Sequence, residues 1–243
     1  MKDFLKELFE KYNIQINDKQ LDQFEKYYEY LVQENEKFNL TAITEMKDVA
    51  IKHFLDSVLG AGEIPQNATV IDVGTGGGFP GVPLKILRPD IKITLLDSLQ
   101  KRVKFLQEVV NLLGLENVTC VHARAEDYAK EKREKFDVSL SRAVASVPTL
   151  SEYLIPFVRV GGRVIMYKSQ KADEELASGQ KAIKTFGGNV DKIIPFNLEE
   201  VESERNIVVI KKETKTPPKY PRGKNQPKTN PIVWYWQCVG IVI

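Results

Sequence analysis

The chain has 243 residues, of which 42% are hydrophobic and 28% charged, with a formal net charge of +2; this fits one large domain or a domain with an appendage, able to bury a core without staples. Two cysteines, Cys120 and Cys238, and two histidines, His53 and His122, exclude a disulfide framework, a zinc cluster and a His-rich centre, so no metal is expected. The start, MKDFLKELFEKY, is amphipathic and acid-bearing, unlike a secretory signal, and no run nears the ~20 apolar residues of a membrane span; the expectation is a soluble, cytoplasmic chain with no membrane partner.

Residues 2–12 carry Phe4, Leu5, Leu8, Phe9 and Tyr12 at helical spacing, and residues 18–37 repeat the pattern with Leu21, Phe24, Tyr28, Leu31 and Val32. Asn17 or Asp18 is a plausible cap for the second helix. Val49, His53, Phe54, Val58 and Leu59 predict a third helix near 48–59. Residues 1–62 thus read as a helical extension.

From Thr69 the pattern changes to short apolar runs separated by helical stretches. The runs are 69–73, 93–97, 118–121, 137–141 and 163–167, and the clearest helix is 101–113. Such alternation predicts an α/β fold, a parallel sheet covered on both faces. Two further runs, 190–196 and 206–211, are close enough to pair antiparallel, and they close a domain spanning 63–212. Residues 213–231 hold five prolines and no periodicity, which predicts an extended arm. Residues 211–230 carry seven basic side chains against one acid, Glu213. That is the footprint of phosphate contact, or of a solvated stretch that touches nothing. The last twelve residues, IVWYWQCVGIVI, could add a strand or leave a sticky edge.

In an open parallel sheet, ligands bind beyond the carboxyl ends of the strands. The first run ends in D-V-G-T-G-G-G-F-P-G, Asp72 to Gly81. Gly74 and Gly76 belong to a loop that lets backbone approach a ligand closely. Gly76, Gly78 and Gly81 also fit a dinucleotide fingerprint. Asp72, however, is a carboxylate at the strand end, which suits a cationic group such as the ammonium of S-adenosylmethionine rather than a pyrophosphate. Asp97 ends the second run and could accept ribose hydroxyls or cap the next helix. Ala125 and Glu126 follow the third run, where Glu126 either edges an adenine or simply suits a helix dipole. Arg142 follows the fourth run and Lys168 the fifth; each is a candidate near the reacting atoms or an ordinary salt bridge.

The motifs D-V-G-T-G-G-G-F-P-G-V-P-L, L-L-D-S, K-R, A-R-A-E and S-R-A-V-A stand in this order, behind N-E-K-F-N-L-T-A-I and H-F-L-D-S. Together they resemble the bacterial small-subunit rRNA guanine-N7 methyltransferase family, also called glucose-inhibited division protein B, over roughly residues 1–230. The resemblance implies a class I S-adenosylmethionine-dependent methyltransferase, a Rossmann-like, mostly parallel seven-stranded sheet behind the N-terminal helices. It implies S-adenosyl-L-methionine as cofactor and a guanine in the 530 loop of 16S rRNA, as RNA or as small subunit, as acceptor. The family's cofactor positions fall on Gly74, Phe79, Ala125, Glu126 and Arg142. The arm P-P-K-Y-P-R-G-K matches the family's basic terminus, and the final V-W-Y-W-Q-C-V-G-I-V-I departs from it. The oligomeric state is left open.

The groups that other acceptors need are missing. Carbon-5 methylation uses an activated cysteine, typically after proline, but Cys120 follows Thr119 and Cys238 follows Gln237. Exocyclic amine methylation brings an Asn/Asp-Pro-Pro-aromatic loop where this chain has S-R-A-V-A. Guanine N7 has a lone pair and no proton, so positioning suffices. Arg142 is expected to act by positioning and electrostatics, without a general base. Lys101, Arg102, Lys215, Lys219, Arg222 and Lys224 are expected to contact RNA phosphates. The alternatives are an NAD(P)-dependent oxidoreductase, resting on the overlapping fingerprint, and a non-catalytic RNA-binding protein that senses the cofactor.

Overall fold

The computed structural model describes residues 1–233. From position 234 on, the terminal apolar run, with the strand expected of it and Cys238, lies outside the described residues.

Helix α1 (Lys2–Lys11) packs on α2 (Asp18–Phe38). Asn17 starts α2 with a reciprocal cap: its side chain accepts from the Gln20 amide at 3.0 Å, and Gln20 returns the bond to the Asn17 amide at 3.0 Å. Helix α2 stops where Asn39 turns left-handed (φ 49). Its buried face is Leu21, Phe24, Tyr27 and Leu31. Tyr27 therefore replaces the Tyr28 of the sequence pattern, because the Tyr27 hydroxyl finds an acceptor inside the fold, the Gly77 carbonyl. The third helix begins as α3 (Met46–Val49), widens into a π-helical segment (Ala50–Leu55) and ends as α4 (Asp56–Val58).

The strands are β1 (Thr69–Val73), β2 (Lys92–Asp97), β3 (Val118–His122), β4 (Phe136–Arg142), β5 (Val158–Ser169), β6 (Gly188–Leu198) and β7 (Ser203–Lys212). They form one seven-stranded sheet in the order β3-β2-β1-β4-β5-β7-β6. The first five are parallel, and β7 runs antiparallel between β5 and β6. The connecting helices are α5 (Gly81–Leu87), α6 (Gln100–Leu112), α7 (Ala125–Glu131), α8 (Val147–Leu154) and α9 (Ala172–Thr185). Strand β5 has twelve residues where the sequence marks five, because its polar Arg159–Gly162 stretch hides the pairing of Phe136 with Val158. Strand β6 is an edge and tolerates Pro195.

Successive residues of β1 serve opposite faces. Val70 joins the apolar cluster formed with α1, α2, the π-helical segment, α5 and α6, while Ile71 and Val73 join that of α7, α8 and α9. The helices of residues 1–62 thus share a core with the sheet. The arm after β7 is not a free extended segment: it lies against the body, and residues 226–229 form a short helix, α10 (Gln226–Thr229). Among the described residues, no helix is long and apolar enough to cross a membrane, and no group of three or more His, Cys, Asp or Glu side chains is placed to hold a metal ion.

Candidate functional site

The carboxyl ends of β1, β2, β3 and β4 bring the glycine loop, Asp97, the turn 123–125 and Arg142 to one edge of the sheet. Gly78 sits at φ +100, and a Cβ there would fall 2.5 Å from the Tyr27 hydroxyl and 2.8 Å from Val82. The loop is clamped onto α2 at this point. Gly76 (φ +61) has no heavy atom within 4 Å of the place a Cβ would take, so the loop is open there. Its amide donates to Asp97 Oδ2 at 3.0 Å.

Asp72 lies beneath the loop, fully buried, with Oδ2 accepting from the Gly81 amide at 2.8 Å and Oδ1 without a partner. Through that bond it shapes the loop. Burial pushes its carboxyl up to about 7, against the pull of that amide hydrogen bond. Asp97 is 3% exposed; its Oδ1 accepts from the Leu99 amide at 2.9 Å, and Arg102 stands 3.4 Å from Oδ2. It holds the entrance of α6 and the loop together. Glu126 is also buried, with Oε1 unpartnered and Arg124 3.8 Å away.

Two cavities open on either side of the segment 143–146. The smaller, about 260 Å³, is lined by Gly74, Ser98, Ala125, Glu126, Thr149 and Tyr153 among others. Two arm residues, Asn225 and Lys228, complete its wall. Glu126 brings a buried carboxylate to this cavity, and the cations Arg124 and Lys228 share its wall.

The larger cavity, about 670 Å³, is lined by His53, Asp56, Arg142, Lys168, Glu175 and Arg205 among others. Val144, 41% exposed, borders both cavities. Ala143 before it takes φ +57, a left-handed conformation costly for alanine. Arg142 donates to Asp56 Oδ2 at 2.5 Å and to the carbonyls of Lys52 and His53 at 3.2 and 3.4 Å, and lies 5.2 Å over the Phe79 ring. Its Nη2 is 3.3 Å from His53 Nδ1. An arginine only donates, so Nδ1 accepts, and Nε2–H is left to donate to Thr41 Oγ1 at 2.8 Å. His53 is thus neutral; burial first, then the Arg142 charge, lowers it to about 4. Phe79 stacks on His53 with ring centres 4.4 Å apart. It supports the arginine and imidazole from below.

The acids and bases on this larger cavity are held by the fold, with only Glu175 keeping an oxygen, Oε1, without a partner among the described residues. Asp56 holds Arg142 on one oxygen and Arg205 on the other at 3.2 Å. Glu175 Oε2 accepts from Lys168 at 2.7 Å and from the Val147 amide at 3.0 Å, and Lys168 also donates to the Ala145 carbonyl at 2.7 Å. Cys120 lies away in β3, where burial pushes its thiol up to about 11.

The predicted basic residues are scattered. Lys101 donates to the Phe38 carbonyl at 2.9 Å and stays exposed. Lys215, Lys219 and Lys224 are exposed on the arm, Lys219 lying 5.3 Å over the Tyr220 ring. Arg102 faces Asp97. Arg222 is taken up by Glu152, so its charge is already compensated at 2.6 Å. His53, Asp56, Glu175 and Arg205 are additions that the reading of the sequence did not assign. His53 stands on an apolar helix face in the sequence, and the H-F-L-D-S motif is the signal that marks the first two.

A family model described as rRNA small subunit methyltransferase G matches residues 20–208. The chain is similar to the ribosomal RNA small subunit methyltransferase G of Leuconostoc citreum (strain KM20), at 48% identity over 225 residues, 90% of this chain and 94% of that one. It is similar to the protein of the same name from Desulforamulus reducens, at 47% identity over 232 residues, 94% and 97% of the two chains. In fold it is similar to fibrillarin of Aeropyrum pernix, solved with natively bound S-adenosyl-L-methionine (TM-score 0.50, 14% identity, 64% of this chain and 73% of that one). It also resembles precorrin-6y C5,15-methyltransferase of Geobacter metallireducens (TM-score 0.51, 13% identity, 76% and 98%). None of these likenesses favours the oxidoreductase alternative.

Proposed function

The chain belongs to the rRNA small subunit methyltransferase G family, and from that premise we propose that it transfers a methyl group from S-adenosyl-L-methionine to N7 of a guanine in the 530 loop of 16S rRNA. In this reading the smaller cavity takes the cofactor's adenosine end. Asp97 accepts from the ribose, Ala125 and Glu126 border the adenine, and Gly74 and Gly76 give the backbone close approach. When bound, the cofactor supplies a methyl group already activated by its positive sulfur. Asp72 lies beneath the glycine loop, where a bound cation would favour the ionised form of its raised carboxyl. The larger cavity takes the guanine.

The observation that carries this reading is that the acid and the base beside Arg142, Asp56 and His53, are tied up by the fold. An acceptor that had to lose a proton, such as an exocyclic amine or a ribose hydroxyl, would need one of them free. Guanine N7 has an in-plane lone pair and no proton. The residues of this chain need only orient it, and orientation alone is worth up to ~7–11 kcal/mol in intramolecular analogues. Arg142 is fixed by Asp56, His53 and Phe79 and presents a rigid fork. Donation to guanine O6 leaves N7 free to react, whereas donation to N7 would block it.

The test is methyl transfer from labelled S-adenosylmethionine to small subunits from a strain lacking the gene, followed by strand scission at N7-methylguanine. Cleavage in the 530 loop is expected. Label that appears only elsewhere on the RNA would refute the acceptor.

A further inference from the structure

The route of the arm is fixed by buried attachments. Arg133 donates to the carbonyls of Thr216 and Pro218, both at 3.3 Å, and to that of Tyr220. Glu134 accepts from the Thr216 amide at 2.9 Å. Glu152, 1% exposed on α8, receives Arg222 as a fork, with Nη2 at 2.6 Å from Oε2 and Nε at 3.0 Å from Oε1, and also accepts the Arg222 amide at 2.7 Å. Lys224 and Asn225 then turn left-handed in succession (φ 55 and 63), and the chain reverses into α10. Thr149 locks the reversal by donating to the Pro227 carbonyl at 2.9 Å.

The reversal carries Asn225 and Lys228 into the wall of the 260 Å³ cavity, beside Ala125 and Glu126. Asn225 also borders a second depression shared with Arg124, Asp127 and Lys130. Asn225 brings an amide donor and an amide acceptor, and Lys228 three donors. Among the described residues, Lys228 Nζ has neither a hydrogen-bond nor an ion-pair partner. An adenine edge offers the matching groups, an amino donor and ring-nitrogen acceptors. Upstream on the same tethered segment, Lys215, Lys219 and Lys224 are exposed.

We infer that the arm is a working wall of the cofactor site: Asn225 and Lys228 contact the adenosine end of the bound cofactor, and RNA gripped by the lysines upstream holds that wall in place. The inference rests on the assignment of the smaller cavity to S-adenosylmethionine. Linkage makes the effect reciprocal, so cofactor and RNA each raise the other's affinity by the same factor.

Calorimetry with the full chain tests this in two stages. Without RNA, Asn225→Ala/Lys228→Ala is expected to weaken S-adenosylmethionine about five- to tenfold, the worth of one or two hydrogen bonds. Adenosine alone should lose the same factor, because it contains the end that the arm touches. Lys228→Arg, which keeps a donor, should recover part of the loss, and Lys6→Ala on α1 should change nothing. With a 16S rRNA fragment carrying the 530 loop, the wild-type chain should bind cofactor more tightly than without it. Lys215→Ala/Lys219→Ala should lose that gain. Unchanged cofactor affinity in the double alanine variant, with the wild type binding, overturns the inference alone. A wild-type chain that binds no S-adenosylmethionine overturns the inference and the proposed function together.

Discussion

At the scale of single residues, Asp72 and His53 pull stability in opposite directions across one pH range. Asp72 is raised from 3.8 to about 7 by burial, so the folded chain holds its proton longer than the unfolded one. Its contribution is best below pH 3.8 and is lost as pH rises towards 7. His53 is lowered from 6.5 to about 4, by burial and by Arg142. Its contribution is complete above pH 6.5 and is lost as pH falls towards 4. Asp72→Asn keeps an acceptor for the Gly81 amide, so its melting temperature relative to wild type should climb between pH 4 and 7. The gain should be on the order of 2–4 kcal/mol at most. His53→Gln should gain relative to wild type in the opposite sense, as pH falls from 6.5. Scanning calorimetry across pH 4–8 checks both, and curves parallel to wild type would remove these groups as the cause. Arg142 makes a third case. Arg142→Lys keeps the charge but lacks the fork that reaches Asp56, His53 and two carbonyls at once. Single-turnover methylation should fall about tenfold or more while the cofactor affinity changes less.

Among the elements, the glycine loop and the π-helical segment do the positioning, and only the first is written plainly in the sequence. Gly78 and Gly76 both have positive φ, but a Cβ at Gly78 would collide with Tyr27 and Val82, while one at Gly76 would meet nothing within 4 Å. Gly78→Ala should therefore cost about 2–4 kcal/mol, combining backbone strain with overpacking. Gly76→Ala should cost about 1–2 kcal/mol. Denaturant titration of the two variants separates the effects, and equal losses would mean that the clamp on α2 is not the reason for a glycine at 78. The alternation of apolar runs with helical stretches made the parallel sheet and its ligand edge legible, because period and burial are properties of local sequence. Asp72 to Gly81 marked the loop for the same reason. The π-helical turn at Ala50–Leu55 has no such signature. By widening the helix it leaves the Lys52 and His53 carbonyls to accept from Arg142, and it sets His53 and Asp56 on the side facing β4. A pattern of helical spacing reads His53 as core, and only the packing against β4 and β7 reveals it beside Arg142 and Arg205. The burial of Asp72 has the same origin: a carboxylate at a strand end reads as a ligand group, and only the fold shows the loop closing over it.

For the whole molecule, the question is where the excess of positive charge lies and which part of it can meet RNA. The seven basic residues of 211–230 do not act as one block. Lys212 is buried, lies 3.6 Å from Glu134 and is lowered to about 8 by burial. Arg222 is bound to Glu152. Among the residues expected to meet phosphates, Lys101, Lys215, Lys219 and Lys224 are exposed. If these four neutralise phosphates, the logarithm of RNA affinity should fall with the logarithm of salt at a slope of about −3 to −4. Lys219→Ala should reduce that slope by just under one. Arg222→Ala should behave differently although it removes the same charge. It strands Glu152, which is 1% exposed, and a buried acid left without its partner destabilises by up to about 3–5 kcal/mol. That variant should melt earlier while its folded fraction keeps the wild-type salt slope. Filter binding across 50–300 mM salt, paired with melting curves, distinguishes a charge that meets RNA from one that ties the arm down. A slope reduced in Arg222→Ala as much as in Lys219→Ala would mean that Glu152 releases the arginine when RNA arrives, and that the tether is part of the binding surface.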